Sequence, residues 1–171
     1  MKNIQLIVIS IVMTLSVKAQ NLCPYPNGTY ATKPELNQFV GTWKSISGTD
    51  TVTIVFQKQK VHFQDDLCTY DSDEMLGWHK YVKNGVVIEN NLQYVGQPYD
   101  NETESLGDLT RTNNEMWLGF WDPTLEKACH VTFKMVSGST IQATWLLKDC
   151  IPYLSGTPYC TLPQNLVFTK Q

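Results

Sequence analysis

Three histidines, five cysteines and one dense acidic stretch are the groups of this chain that could carry chemistry. A general base needs an oriented partner and a nucleophile within reach. His62, His79 and His130 stand near neither a G-x-S-x-G nor a Cys-His motif, so no catalytic residue is assigned from sequence. Asp65, Asp66, Asp71, Asp73 and Glu74 surround Cys68 and offer the oxygen ligands a hard cation prefers. The spacing lacks the turn glycine and the twelfth-position glutamate of a calcium loop, so a solvated acidic loop is expected. No C-x-x-C or H-x-x-x-H spacing occurs, and neither a metal nor a cofactor is expected.

The tryptophans are the other candidates. Trp43 follows Gly41 at the start of the β-rich region. An indole seeks a bulky apolar site, and a glycine lets backbone pass close beneath it, so the two read as a structural plug for one end of a barrel. Trp117 and Trp121 share one face of their strand, opposite Met116, Leu118 and Phe120. Both faces are therefore apolar. Exposed tryptophan pairs are a device for sugar or peptide contact, but coverage by the N-terminal arm is the expectation here.

These residues must be positioned by an exported chain. Met1-Lys2-Asn3 is a short basic start, Ile4–Val17 is nearly all apolar, and Val17-Lys18-Ala19 supplies a small-residue cleavage pattern. The apolar run is short of the roughly 20 residues of a membrane helix. Residues 1–19 are thus expected to be a signal peptide, 20–38 an extended Pro-containing arm with a turn of helix at Glu35–Gln38, and 39–171 the folded domain. No membrane span remains after cleavage, and the address is periplasmic or extracellular.

Loss of Lys2 and Lys18 moves the formal charge from −3 to −5. An acidic surface with a single arginine excludes nucleic acid as a partner, because phosphates need clustered Lys and Arg. Export permits disulfides, and an odd cysteine count leaves at least one thiol over. Cys150 and Cys160 bracket a Pro- and Gly-rich loop and are the expected pair, with Cys68–Cys129 the next.

Alternation dominates the rest. Val52, Ile54 and Phe56 oppose Thr51, Thr53 and Gln57; Cys129, Val131, Phe133 and Met135 oppose His130, Thr132 and Lys134. Period two means one face buried and one wet. Asn84-Gly85 between two such runs is a hairpin signal, since both residues tolerate the positive φ of a type I′ turn. Strands are predicted at 42–47, 51–58, 75–83, 86–90, 109–112, 115–121, 129–136, 140–148 and 165–170. Eight to nine hairpin-linked strands predict an all-β fold, an antiparallel up-and-down barrel, with a two-sheet sandwich as the alternative.

Phe39-Val40-Gly41-Thr42-Trp43-Lys44 resembles the opening motif of the calycins, the lipocalins and fatty-acid-binding proteins. The Thr-Asp-Tyr of lipocalins and the C-terminal Arg-x-Tyr that holds a fatty-acid carboxylate are both absent. A broader resemblance runs through Ala19-Gln20, Gly41-Thr42-Trp43, Met75-Leu76-Gly77, Tyr81–Gly85 and Leu166–Lys170. These segments look like a family of uncharacterised exported β-rich proteins of Bacteroidota, which implies a compartment and no chemistry.

The expected function is a non-enzymatic binding module. It takes either an apolar small molecule inside the barrel, lined by Phe56, Trp78, Leu118, Phe133 and Trp145, or a protein or glycan partner on the outer surface. The alternatives are a secreted hydrolase using His79 or His130 with a carboxylate, and a disulfide-braced structural or inhibitor-like module.

Overall fold

The computed structural model describes residues 23–99, 103–152 and 160–171. The expected signal segment, residues 20–22 of the arm, and most of the loop between Cys150 and Cys160 lie outside the described residues.

The strands are β1 (Tyr30–Ala31), β2 (Gly41–Ser47), β3 (Asp50–Gln64), β4 (Thr69–Lys83), β5 (Val86–Asn90), β6 (Leu106–Thr112), β7 (Glu115–Asp122), β8 (Lys127–Met135), β9 (Gln142–Pro152) and β10 (Asn165–Lys170). Two short 3-10 turns, Pro34–Gln38 and Leu92–Tyr94, are the helical elements among the described residues. Eight strands form a closed antiparallel ring. It runs β4-β3-β2-β10-β9-β8-β7-β6 and returns through a β4–β6 ladder. β1 and β5 add to the edge of β4, parallel and antiparallel respectively. The predicted up-and-down barrel is the fold. Closure removes the rows of unpaired backbone groups that an open sheet would expose.

The Asn84–Gly85 turn forms as predicted, with φ of 51° and 78°. The β3–β4 hairpin is longer than the alternation suggested, each strand running 15 residues. Polar Gln59, Lys60, His62 and Gln64 mask this extension because that part of the ribbon reaches past the barrel wall, paired on its outer edge only by β1. The acidic residues therefore belong mostly to a strand, not a loop. Asp65 alone caps the turn, its Oδ1 accepting the N–H groups of Leu67 (2.8 Å) and Cys68 (2.7 Å). Asp71 pairs with Lys60 at 2.7 Å, Asp73 with Lys58 at 3.1 Å, and Glu74 with Lys33.

Trp43 and Gly41 lie at the start of β2. Trp43 is fully buried, its indole N–H donates to the Phe39 carbonyl at 2.7 Å, and Lys170 Nζ sits 5.3 Å over its ring. The 3-10 turn of the arm adds buried Leu36 and Phe39 beneath it. Gly41 has φ +125°, a region that disfavours any side chain, and a Cβ there would stand 3.1 Å from Lys170 Cε.

The seam where β4 meets β6 is the thinnest part of the ring, with only Leu76↔Gly107 and Gly77↔Leu106 in register. A Cβ on Gly77 would lie 2.8 Å from Leu106 Cβ and 2.9 Å from Phe56 Cε1, both in the core. Gly77→Ala is expected to lower stability by about 1–3 kcal/mol, read as the midpoint of denaturant unfolding. Gly107→Ala, whose Cβ would meet nothing within 4 Å, serves as the control and is expected to be neutral or mildly stabilising. Equal stabilities of the two variants would show that the seam is not tightly packed.

Candidate functional site

The barrel centre is occupied by its own side chains. The Phe133 ring meets Trp43 and Phe56 at 5.2 Å, Phe168 at 5.8 Å and Phe39 at 6.3 Å, centroid to centroid. Trp145 contacts Phe120 and Phe168, and Leu118 joins the same buried cluster. Four of the five residues expected to line an internal cavity thus pack on one another. Among the described residues, the buried indole N–H groups of Trp145 and Trp78 have no hydrogen-bond partner.

The fifth, Trp78, sits on the other face of the wall. Its pair Val55↔Trp78 lies between Ile54↔His79 and Phe56↔Gly77, so alternation turns it away from Ile54 and Phe56. It is fully buried there, outside the central cluster. The reason is a strand apolar on both faces, where alternation cannot say which face is inner.

The outer wall is where the structure is open. β6, β7 and β8 project Leu109, Trp117, Trp121 and His130 outward, with Trp117 54% and Trp121 44% exposed. The expected cover does not form among the described residues. The arm instead follows β4, with Tyr30 opposite Asp71 and the Gly28 N–H bonded to the Thr69 carbonyl. Between the tryptophans lies Gly119, paired with Gly107 across the β6–β7 ladder. Two glycines leave a low floor between the two indoles, with the Leu109 side chain over Gly119 at van der Waals distance.

Two recesses share this face. One of about 440 Å³ includes Leu76, Gly107, Gly119, Trp121 and His130; one of about 320 Å³ is lined by Leu109, Trp117, His130, Thr132 and Lys148. Both include Leu109 and His130, so together they form one groove across the β6–β8 wall. Its polar rim is ordered. The Trp117 indole N–H donates to Glu115 Oε1 at 2.6 Å, and Lys134 Nζ lies 3.2 Å from Oε2. That indole hydrogen bond, helped by Lys134 against slight burial, holds the Glu115 carboxyl below its ordinary range, so the rim carries a charged acceptor at neutral pH.

Of the three imidazoles, His62 is exposed and lies 2.8 Å from Asp71 on the ribbon. His130 is exposed in the groove. His79 is buried and central to a polar chain. Its Nδ1 lies 2.7 Å from Ser105 Oγ and its Nε2 2.7 Å from Glu89 Oε2. Ser105 also donates its N–H to the Gly77 carbonyl, and Asn91 bonds the His79 backbone through both its N–H and its side chain. The relay thus fastens β5 and the lead-in to β6 onto β4, beside the short seam. Burial pushes the Glu89 carboxyl up, but hydrogen bonds from His79 and Thr124 and the imidazole charge outweigh it, and its pKa is lowered.

The cysteines pair differently from expectation. Cys68 bonds Cys23, not Cys129, because the arm runs beside β4 and delivers Cys23 to the ribbon turn, whereas Cys129 stands in the barrel wall. Cys150 and Cys160 both lie within bonding reach of Cys129, so they face a third sulfur rather than only each other. A register shift in the β8–β9 ladder sets Ala128 opposite Ile151 but His130 opposite Lys148. Cys129 therefore faces two residues of β9, and this bulge turns Cys150 toward it. Local alternation gives no sign of such a slip.

The fold and its surface define an eight-stranded closed antiparallel barrel with a filled centre and an aromatic groove on its wall. The chain belongs to a family described as a family of unknown function (DUF6705), whose profile matches residues 1–171. No curated protein and no solved structure matches it.

A lowered folded pKa means that Glu89 contributes stability above the ordinary carboxylate range, near 4.3 in model peptides, and that this contribution is lost as pH falls through the lowered value. Glu89→Gln is expected to cost about 1–3 kcal/mol at neutral pH and to flatten the acid limb of a melting-temperature profile. An unchanged acid limb would remove Glu89 from the relay.

Proposed function

We propose that the protein is exported and acts as a non-enzymatic binding module that takes a carbohydrate chain along the outer groove. The observation that carries this reading is the pair of exposed indoles, Trp117 and Trp121, flanking a glycine floor on one strand face. Four residues of strand set them roughly 13 Å apart, a span suited to an oligosaccharide more than to a single ring. Sugars offer C–H faces that stack on aromatic planes and hydroxyls that bond carboxylates and imidazoles. Glu115, His130 and Thr132 supply such groups beside the rings.

Other occupants fit less well. Adding a peptide strand needs a free sheet edge; β7 and β8 are paired on both sides along this face, and β6 is open on one side only beyond Gly107. An apolar small molecule in the interior would have to displace the rings around Phe133. Export is supported by the basic and apolar N-terminus and by the Cys23–Cys68 bond, a linkage that oxidising compartments favour. No helix among the described residues is long and apolar enough to cross a membrane.

A second reading, hydrolysis, has one observation behind it, the Ser105–His79–Glu89 chain. All three residues are buried, and the Ser105 N–H is committed to the Gly77 carbonyl rather than free to bind an oxyanion. Ser105 does border the larger recess, so a reagent in solution can test it.

Screening on a glycan array, with hits titrated by tryptophan fluorescence, is expected to find an oligosaccharide ligand. Trp117→Ala and Trp121→Ala should each weaken it about tenfold or more. Gly107→Val, which raises the floor without removing a ring, should do the same while leaving the melting temperature unchanged or higher. Absence of any glycan hit, or affinities indifferent to all three changes, would defeat the proposal. A fluorophosphonate is expected to leave Ser105 unmodified; covalent labelling there would move the protein among the hydrolases.

A further inference from the structure

Cys129, Cys150 and Cys160 bring three sulfurs to one point, all within 4.8 Å of one another. A sulfur forms one disulfide at a time, so with Cys23 and Cys68 joined, three sulfurs share a single bond and one thiol is left. We propose that this cluster is a thiol–disulfide exchange site. Its bond migrates between Cys129–Cys150 and Cys129–Cys160, and the sulfur left over accepts a thiol group from a low-molecular-weight disulfide.

Three features support the assignment. Both outer sulfurs are held beside Cys129 by structure other than a disulfide. Cys150 is placed by the β8–β9 bulge. Cys160 is placed by its neighbour Thr161, whose N–H and Oγ1 bond Asp122 at 2.5 and 3.1 Å, and by buried Leu162. From Cys129 the Cα separations are 3.9 Å to Cys150 and 7.7 Å to Cys160, so exchanging the bond also draws the Cys160 segment toward β8. Burial and access are also divided correctly, since Cys129 is buried while Cys150 and Cys160 are half-buried and line a recess of about 420 Å³. Finally, Lys83 and Lys148 line the same recess with Asp50 the single carboxylate, and an excess of cations favours the thiolate, the attacking form.

The chemistry balances without an added oxidant. The spare thiol, for example Cys160, loses its proton to water and its thiolate attacks Cys129 Sγ. The Cys129–Cys160 bond forms as the Cys129–Cys150 bond breaks, and Cys150 leaves as a thiolate that takes up a proton. Toward an external disulfide, the same thiolate attacks one sulfur, a mixed disulfide forms, and the other half departs as a thiolate and is protonated. No electrons are gained or lost overall.

The test uses the native full chain, alkylated, quenched in acid and mapped by peptide mass spectrometry. One alkyl group per chain is expected, divided between Cys150 and Cys160 and absent from Cys23, Cys68 and Cys129. Oxidised glutathione should add one glutathionyl group at the same two positions. Cys150→Ser and Cys160→Ser should each keep a bond to Cys129 and lose glutathionylation entirely, with far-UV dichroism confirming the fold. Label confined to one cysteine, label on Cys129, or no reactive thiol before denaturation would overturn the proposal. A thiol that reacts only after a chelator removes bound zinc would overturn it in favour of a metal site.

Discussion

The ring closes through one narrow contact, and much of the molecule is arranged around it. β2 joins β10 and the other neighbours pair through hairpin ladders, but β4 and β6 share just two residue pairs. So short a ladder leaves backbone groups near it in need of partners, and a buried group left unpaired costs about as much as a lost hydrogen bond. The neighbouring residues meet that need. Gly77 removes a side chain so that Leu106 and Phe56 can close over the gap, and its carbonyl receives the Ser105 N–H. Ser105, His79 and Glu89 then tie three chain segments together by side chains where backbone pairing runs out. A constellation of the kind found in catalytic machinery here joins three chain segments beside the seam.

Legibility from sequence follows the same division. Alternation in the first half of β3 and in β8 was readable because one face is wet and the other packs on the Phe133 cluster. Trp43 stood out in the sequence because an indole seeks a bulky apolar site, and it is buried with its N–H on the Phe39 carbonyl. What escaped was set by partners distant in the chain. The outer half of the β3–β4 ribbon alternates weakly because its charges face matching charges rather than a core. Trp78 could not be assigned a face because Leu76, Trp78, Met75 and Tyr81 make both sides of β4 apolar. The bulge opposite Cys129 and the arrival of Cys23 beside Cys68 are tertiary facts without local signature. His79 and His130 were visible as imidazoles, but only the fold separates a buried fastener from an exposed groove residue.

The filled centre constrains where this barrel can bind. A small barrel has room inside for packed side chains or for one ligand, not both. Here Trp43, Phe56, Phe133 and Phe168 occupy that room with edge-to-face and tilted contacts, a geometry in which ring quadrupoles attract. The interior is thereby given over to packing, and the open face is the outer wall. Strand alternation gives β7 this second, independent face. Met116, Leu118 and Phe120 serve the core while Trp117, Gly119 and Trp121 are left for solvent.

The same separation explains how an exchangeable sulfur cluster coexists with a rigid fold. Cys23–Cys68 ties the arm to the outer ribbon, away from the ring, and does not depend on the other three sulfurs. Within the wall, Asp122 accepts from Leu125 and Thr161 and so anchors both the β7–β8 turn and the segment carrying Cys160 without any sulfur bond. Cys129 is the unpaired residue of the bulge on the β9 side, with ladder pairs on both sides of it, and on the β7 side its backbone pairs with Phe120. A bond that is not needed to hold the wall together is free to move, and three sulfurs at one point give it somewhere to go.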